Sequence, residues 1–236
     1  MHYKILYENP NESIANRLLK IRNIEDNLED FLSPSYSRYR QDPSKLNQIE
    51  EASKRIIQAI EKQEKIMIFG DYDVDGIVSS YVMYTFFSKF LQYKNISVRL
   101  PHRTKDGYGI KSYHLDEIKS LGCSLVITVD NGITAIEEAK HALEIGVDMI
   151  VTDHHKALEQ LPAALAVINP QISPDFGFQD ICGAAVACKV CMYLAEKLLD
   201  KESQKELLQT LLPFVAIATV ADCMPLVQEN RLLVSK

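Results

Sequence analysis

Residues 66–76 read IMIFGDYDVDG. The first four residues form a short apolar run that ends at Gly70, and such a run predicts a strand buried on both faces of a parallel sheet. Three carboxylates follow within five residues, at Asp71, Asp73 and Asp75. A buried strand that ends in acids and leads into a helical stretch predicts an α/β fold with a polar site at the end of the strand.

The same alternation of strand and helix repeats along the chain. Further strands are predicted at ISVRL (96–100), LVITV (125–129), DMIVT (148–152) and AVIN (166–169), and helices at 46–63, from about Ile77, at 112–121 and at 135–146. Past Gly183 two long helical stretches follow, 184–199 and 203 to about 220. We therefore expect a three-layer α/β sandwich on a mostly parallel sheet, with a helical lead-in at 1–45 packed on a main domain at 46–236 that ends in helices.

Composition narrows the class of protein. The chain has 236 residues, of which 47% are hydrophobic and 25% charged, as in an ordinary soluble globular protein. It carries 26 Lys and Arg against 32 Asp and Glu, a net charge of −6, which argues against holding nucleic acid by bulk positive charge. There is no signal-peptide pattern, no membrane-length apolar run and no disulfide pattern among the five cysteines, so a cytoplasmic protein without membrane contact is expected.

Acidic or acid-histidine clusters follow three of the predicted strands. They are GDYDVDG after IMIF, DNG after LVITV, and DHHK after DMIVT. In an open parallel sheet, ligands bind outside the carboxyl ends of the strands, so residues that are distant in sequence meet there. The side chains expected to be neighbours are Asp71, Asp73, Asp75, Asp130, Asp153, His154 and His155.

A cleft with so many carboxylates is repulsive unless a cation lies among them, because like charges a few ångströms apart cannot all stay ionised. Carboxylate oxygens with imidazole nitrogens suit Mn²⁺ or Mg²⁺, and no thiolate in these clusters argues for zinc. The number of acids is sufficient for two ions that share a bridging carboxylate, as in phosphatases and nucleases. Two divalent ions would offset about four of the excess negative charges.

A simpler explanation exists for each acid taken alone. Single aspartates after strands are often helix N-caps or turn residues, so any one of these clusters is as compatible with a cap as with a ligand. Three clusters together favour the metal site. The D-x-D-x-D-G pattern at 71–76 also resembles the start of an EF-hand calcium loop, but its twelfth position is Val82 instead of Glu, and a strand precedes it.

The same segments resemble a known family. GDYDVDG, VDNGI, TDHH and VADCMPL, in this order, resemble the four motifs of the DHH phosphoesterase superfamily. PHRTKDGYGI, LPAALAVINP and ATVADCMPL are similar to its RecJ branch, the single-stranded-DNA-specific exonucleases, and the likeness runs from about residue 20 to the end. The resemblance implies that 46–236 is a DHH catalytic domain and that two Mn²⁺ or Mg²⁺ ions are bound.

The resemblance also implies a set of metal ligands. Asp73 and Asp75 would each bind one of the two ions, and Asp130 would bridge them. His154 and Asp222 would complete the two coordination spheres.

Other residues take supporting roles by the same resemblance. Asp153 would orient its ligating neighbour, and His155 would contact the substrate phosphate instead of the metal. Arg103 is similar to a phosphate-binding arginine of the RecJ branch. Asp71 is left open as a ligand or a supporting acid, because Phe69 stands where some branches have a histidine.

The implied function is 5′ to 3′ hydrolysis of single-stranded DNA, with single-stranded nucleic acid as the partner. Two departures matter. The glycine-rich element that is usually close to GVGVA is GAAVA at 183–187, so Ala185 is expected to narrow the approach of substrate. A C-terminal domain that would clamp the strand is not recognised, which predicts a missing domain or partner subunit. Short oligonucleotides or cyclic dinucleotides as substrates, or an inactive replication scaffold, remain alternatives.

Overall fold

The architecture is that of a computed structural model, which describes residues 4–24 and 28–235. The strands are β1 (Lys65–Phe69), β2 (Ile96–Arg99), β3 (Cys123–Val129), β4 (Asp148–Thr152) and β5 (Ala166–Ile168). The helices are α1 (Ile14–Ile21), α2 (Leu28–Leu32), α3 (Tyr36–Tyr39), α4 (Ile49–Glu61), α5 (Val74–Thr85), α6 (Ser112–Ser120), α7 (Ile136–Glu144), α8 (Gly183–Leu198), α9 (Lys201–Ala221) and α10 (Gln228–Ser235). The predicted succession of strands and helices is confirmed.

The five strands form one sheet in the order β2-β1-β3-β4-β5, and every pairing is parallel. Strand β1 lies between β2 and β3, with Ile68 opposite Val98 on one side and Ile127 on the other. The central position of β1 explains why its sequence is apolar at every position from Ile66 to Phe69, since both faces are covered.

Two hydrophobic layers cover the two faces of the sheet, and alternate residues of β1 pack into different layers. Ile66 and Ile68 pack with helices α4, α5, α8 and α9 in the larger core. Met67 and Phe69 pack with α6 and α7 in the smaller one. The three-layer sandwich expected from the sequence is therefore the observed fold, and the thick layer on one face is the helical C-terminal end folded back onto the sheet.

Helix α5 begins earlier than its apolar pattern predicts. The sequence placed its start near Ile77, but Asp73 is the N-cap, and its carboxylate accepts a hydrogen bond from the backbone N–H of Gly76 at 2.8 Å. The acidic motif therefore forms the first turn of the helix as well as the end of the strand. Helix α10 was not predicted, because its alternation of polar and apolar residues is too short to stand out.

The lead-in is tied to the helical layer close to residue 41. Lys189 of α8 donates to the carbonyl of Gln41 at 2.8 Å and pairs with Glu229 of α10 at 2.5 Å. Farther back, the Arg231 guanidinium donates to the carbonyl of Phe31 at 2.9 Å. The division at residue 45 stays a prediction. Within the described part of the chain, no helix has the length and apolar character needed to cross a membrane.

Candidate metal centre

The cleft lies at the carboxyl ends of β1, β3 and β4, where the three acidic clusters meet, and Asp222 reaches it from the end of α9. His154 is at its centre. Its Nε2 atom lies 3.2 Å from a carboxylate oxygen of Asp130, 3.6 Å from one of Asp222 and 3.7 Å from one of Asp75. The structure thus brings together residues separated by about 150 positions, as the rule for parallel sheets predicts.

Asp75 is held by the N-terminus of α8. Its two carboxylate oxygens accept hydrogen bonds from the backbone N–H groups of Gly183 at 2.6 Å and Ala184 at 2.8 Å. Unpaired N–H groups and the positive end of a helix dipole stabilise a negative charge at this place. The carboxylate is buried, so these two bonds fix its orientation towards the cleft. No sequence pattern predicts this contact, since 108 positions separate its partners.

Gly183 is the glycine on which the cleft depends. A Cβ atom built there would lie 2.5 Å from a carboxylate oxygen of Asp130 and 2.6 Å from its Cβ. The prediction that Ala185 narrows the approach of substrate is not supported by its position. Ala185 is buried within α8 and packs in the larger hydrophobic core, one helical position beyond the pair of N–H groups that reach the site.

Asp71 and Asp73 form the β1 side of the cleft. Asp71 is buried, and burial, assisted by the charge of Asp73, raises its pKa. Gly76 is required beside it, because a Cβ there would lie 2.6 Å from the Asp71 backbone nitrogen. Asp73 uses one oxygen as the N-cap of α5, which leaves its second oxygen for another partner. The cap explanation and the ligand explanation are therefore compatible for this residue.

Asp130 has a left-handed backbone, with φ of 62°, a conformation that Asp tolerates better than most residues. Burial raises its pKa strongly, and the neighbouring charge of Asp75 adds to the effect. Burial also raises the pKa of Asp222, although His154 acts in the opposite direction. The cleft thus opposes ionisation of its own carboxyl groups unless a positive charge is supplied.

Asp153 is fully buried and organises the loop that carries both histidines. One of its oxygens accepts hydrogen bonds from the backbone N–H of His154 at 2.7 Å and the imidazole Nδ1 of His155 at 2.8 Å, and the other accepts from the Ile133 N–H at 2.9 Å. The sequence suggested that Asp153 orients the imidazole of His154. Its ring partner is instead His155, the residue expected to contact phosphate.

These contacts leave Asp153 ionised and His155 basic. Burial alone would raise the pKa of Asp153, but the hydrogen bond from His155, its charge and the backbone donors lower it overall. The bond to Asp153 raises the pKa of His155, although burial opposes the rise. Because Nδ1 of His155 is committed to Asp153, Nε2 is the ring atom left to meet a phosphate oxygen.

The arrangement fits divalent cations. Four buried ligand atoms of the cleft have no hydrogen-bond partner among the described residues, and they are Oδ1 of Asp71, Oδ1 of Asp130, Nε2 of His154 and Oδ2 of Asp222. Candidate ligand atoms lie within 4.8 Å of one another in three groups: Asp71, Asp73 and Asp130; Asp75, His154 and Asp222; and Asp130, His154 and His155. Buried polar atoms without partners are costly, and hard oxygen donors with imidazole are what Mn²⁺ and Mg²⁺ bind.

The two arginines at the end of β2 and after it, Arg99 and Arg103, have different partners. Arg103 is exposed and lies over the ring of Tyr72, with 5.5 Å from its Cζ to the ring centroid. The Arg99 guanidinium instead forms ion pairs within the fold, with Glu117 at 3.3 Å and with Asp106 at 3.8 Å. Arg103 therefore remains the candidate for contact with a phosphate.

Tyr108 is a cleft residue to which no role was assigned from the sequence. Its hydroxyl lies 3.3 Å from the carbonyl oxygen of Asp130 and 3.2 Å from Nδ1 of His155. The sequence contained one usable signal, since Tyr108 stands between Gly107 and Gly109 in a segment that precedes a helix. Both glycines have positive φ, 72° and 76°, so the segment is a shaped loop.

Comparison with known proteins assigns the fold and the motifs to one group. Residues 65–219 match the family model described as "DHH family, N-terminal domain". The single-stranded-DNA-specific exonuclease RecJ of Bacillus subtilis is 43% identical over 193 residues, which cover 81% of this chain and 23% of that protein. The Escherichia coli protein of the same name is 35% identical over 195 residues, 80% of this chain and 34% of its own length.

Solved structures agree with the sequence relatives. An exonuclease RecJ bound to manganese superposes with a TM-score of 0.71 at 32% identity, over 80% of this chain and 46% of that one. RecJ from Thermus thermophilus in complex with Mn²⁺ superposes with a TM-score of 0.69 at 27% identity, over 87% of this chain and 28% of that one. The chain thus spans between 23% and 46% of the length of these four relatives.

Proposed function

We propose that this chain, which belongs to the DHH family, is the metal-dependent catalytic part of an exonuclease that hydrolyses phosphodiester bonds of single-stranded DNA from the 5′ end. The observation that carries the proposal is the buried cleft in which Asp71, Asp130, His154 and Asp222 each present a polar atom that has no partner in the part of the chain that the structure describes. The identity to RecJ exonucleases supports the substrate, and the manganese complexes of similar structures support the metal. Because the chain spans only part of those relatives, their full activity is a proposal for it.

Two ligand groups follow from the distances in the cleft. We assign Asp71, Asp73 and Asp130 to one ion, and Asp75, His154 and Asp222 to the other. Asp130 is the natural shared ligand, because its Oδ1 lies only 3.2 Å from the imidazole of the second group. This assignment keeps every ligand implied by the family resemblance and adds Asp71, whose buried oxygen has no other partner among the described residues.

The metals would supply an activated water and charge stabilisation on the attacking and leaving oxygens. The side chains that bind the metals and the substrate phosphate are positioned by contacts within the chain. The N-terminus of α8 orients Asp75, and the left-handed backbone at Asp130 turns that carboxylate into the cleft. Asp153 holds His155 with Nε2 free to hydrogen-bond a non-bridging phosphate oxygen, and Arg103 would contact a phosphate at the mouth of the cleft.

The test uses the purified chain with Mn²⁺ and end-labelled single-stranded and double-stranded DNA of graded length. We expect single-stranded DNA to be shortened from the 5′ end and EDTA to stop the reaction. Asp130→Asn should lower kcat/KM by roughly 10³-fold or more, because it removes the shared ligand. Its circular dichroism and unfolding temperature without metal should match the wild type, since only one of several like charges is lost.

Three outcomes would contradict the proposal in distinguishable ways. A wild-type chain that fails to bind Mn²⁺ in calorimetry and degrades no DNA would be an inactive scaffold. A chain that binds Mn²⁺ but prefers short oligonucleotides, cyclic dinucleotides or pyrophosphate would keep the chemistry and lose the proposed substrate. Full activity of Asp130→Asn would contradict the assignment of Asp130 as a metal ligand shared by the two ions.

A further inference from the structure

We propose that Tyr108 is a positioning residue, which holds the imidazole of His155 and the backbone of Asp130 in the arrangement that the cleft needs. The inference rests on the proposed function for its catalytic consequence, but the contacts stand without it. Tyr108 is on neither a strand nor a helix, and none of the four motifs contains it.

One arrangement of protons satisfies all the polar contacts around the Tyr108 hydroxyl. The O–H donates to the backbone carbonyl of Asp130, at 3.3 Å. Its oxygen lies 3.2 Å from Nδ1 of His155, which is also 2.8 Å from a carboxylate oxygen of Asp153. The N–H at Nδ1 therefore donates mainly to Asp153 and in part to Tyr108. This fixes the tautomer of the neutral ring and leaves Nε2 facing the cleft, where the imidazolium form of the ring would donate an N–H to a phosphate oxygen.

The ring of Tyr108 adds a second contact to the same imidazole. The two ring centroids lie 5.7 Å apart with the planes at 75°, an edge-to-face arrangement. His155 itself is partly open to solvent, with 44% of its side chain exposed, so the two hydrogen bonds and this ring contact are what restrict its rotation. Without Tyr108, the hydrogen bond to Asp153 and the ring of His154, whose centroid lies 4.4 Å away, would have to hold the imidazole.

The link to Asp130 has its own consequence. Asp130 has φ of 62°, and its carbonyl oxygen is the acceptor of the Tyr108 O–H. A hydrogen bond to that carbonyl favours the peptide orientation that the left-handed conformation creates. Tyr108 therefore connects the residue proposed to be shared by both metals with the residue proposed to contact the phosphate.

The loop that presents Tyr108 is anchored independently of it. Asp106 accepts hydrogen bonds from the backbone N–H of His102 at 2.7 Å and from the hydroxyl of Tyr113 at 3.2 Å. The glycines on both sides of Tyr108 adopt the positive φ values that the turn requires. Removal of the Tyr108 hydroxyl should thus leave the loop in place, which makes Tyr108→Phe a clean probe of the hydrogen bonds.

The Tyr108 hydroxyl is available as a hydrogen-bond donor, because a phenol with an ordinary pKa of about 10 keeps its proton at neutral pH. The residue as a whole is 42% exposed.

The experiment compares Tyr108→Phe with the wild type and with Tyr84→Phe, a control tyrosine that is similarly exposed on α5. Long-range ¹H–¹⁵N NMR on the metal-free protein should show the His155 ring nitrogens shifting towards a mixture of tautomers in Tyr108→Phe alone. With Mn²⁺ and single-stranded DNA, kcat should fall roughly tenfold while KM changes by less than about twofold. Mn²⁺ affinity in calorimetry should fall by roughly tenfold, because the Tyr108 O–H also holds the backbone of Asp130, the proposed shared ligand.

Each contrary result has a separate meaning. Wild-type kcat and unchanged His155 resonances in Tyr108→Phe would overturn the positioning role. A normal Tyr108→Phe with a raised KM in Tyr108→Ala would also overturn it and would assign the ring to stacking on a base. If the wild-type chain hydrolyses nothing, the NMR comparison still decides the positioning role, so failure of the proposed function is recognised separately.

Discussion

Acidic residues lie at both ends of the strands β1 and β4, but among the described residues only the cluster at the amino ends contains an arginine or lysine. At the amino ends, Arg55 of α4 reaches Glu64 and Asp148, each at 2.6 Å, and Ser124 donates a further hydrogen bond to Glu64. At the carboxyl ends, no lysine or arginine of the described residues forms an ion pair with the buried carboxylates, and histidines are their only basic partners.

The difference separates a structural cluster from a binding site. Arg55, with 9% of its side chain exposed, is held between two acids, so the charges of the amino-end cluster are paired within the fold, although Nη1 of Arg55 has no hydrogen-bond partner among the described residues. In the carboxyl-end cluster, buried oxygens of three carboxyl groups and the Nε2 atom of His154 have no such partner, and no lysine or arginine in the described part of the chain pairs with them. A folded chain rarely tolerates such atoms unless an ion or water completes them, so the cation that is built into one end is expected to come from solution at the other.

The largest effect that separates the two ends is expected for Gly183→Ala. The added Cβ would lie 2.5 Å from the Asp130 carboxylate, so that the carboxylate or the start of α8 must shift. We expect kcat/KM to fall roughly 10- to 100-fold with weaker Mn²⁺ binding, as for other changes that displace a ligand indirectly. Steady-state kinetics and calorimetry measure both quantities.

Ala185→Gly is the matched control for that substitution. Two positions along the same helix, it removes a buried methyl group without touching Asp130, so stability should fall by about 1 kcal/mol while activity stays near the wild type. A greater loss of activity in Ala185→Gly than in Gly183→Ala would contradict the expectation that a Cβ atom at position 183 displaces the Asp130 carboxylate.

The second effect is stabilisation by metal. If the carboxyl-end cluster lacks only a cation, then Mn²⁺ at about 100 times its Kd should stabilise the wild type by about 2.7 kcal/mol. In Asp130→Asn the same concentration should have a much smaller effect. Thermal unfolding with and without Mn²⁺ measures this, and an equal rise of Tm in both proteins would place the ion elsewhere.

The smallest effect is expected for the amino-end cluster, where Arg55 pairs with Glu64 and Asp148. Arg55→Met leaves Glu64 and Asp148 without their cation, and we expect a loss of about 2 kcal/mol, reduced by the partial exposure of Asp148. Activity should not change, because the affected atoms lie at the opposite ends of the strands. Lys54→Met on the same helix is the control, since Lys54 is 71% exposed and should cost under about 0.5 kcal/mol. A loss of Mn²⁺ binding in Arg55→Met would contradict the separation of the two ends.

Much of this site could be predicted from the sequence, and the reasons are physical. The apolar runs at 66–69, 125–129 and 148–152 can be satisfied only inside a covered parallel sheet, and parallel strands deliver whatever follows them to one edge. The convergence of Asp130 with His154 was therefore predictable. The start of α5 at Val74 was not, because Asp73 serves as cap and cleft residue together, and a hydrophobic pattern registers neither role.

The sequence by itself determined the architecture, the edge of the sheet that carries the site and the identity of its acids, because periodicity and residue type are local properties. Only the tertiary structure decided how those acids are oriented. The N–H groups of α8 hold Asp75, Asp153 binds the ring of His155, and Tyr108 connects His155 to Asp130. These are directional hydrogen bonds, most of them between distant positions of the chain, and they depend on distances of a few tenths of an ångström that packing of the whole sandwich sets.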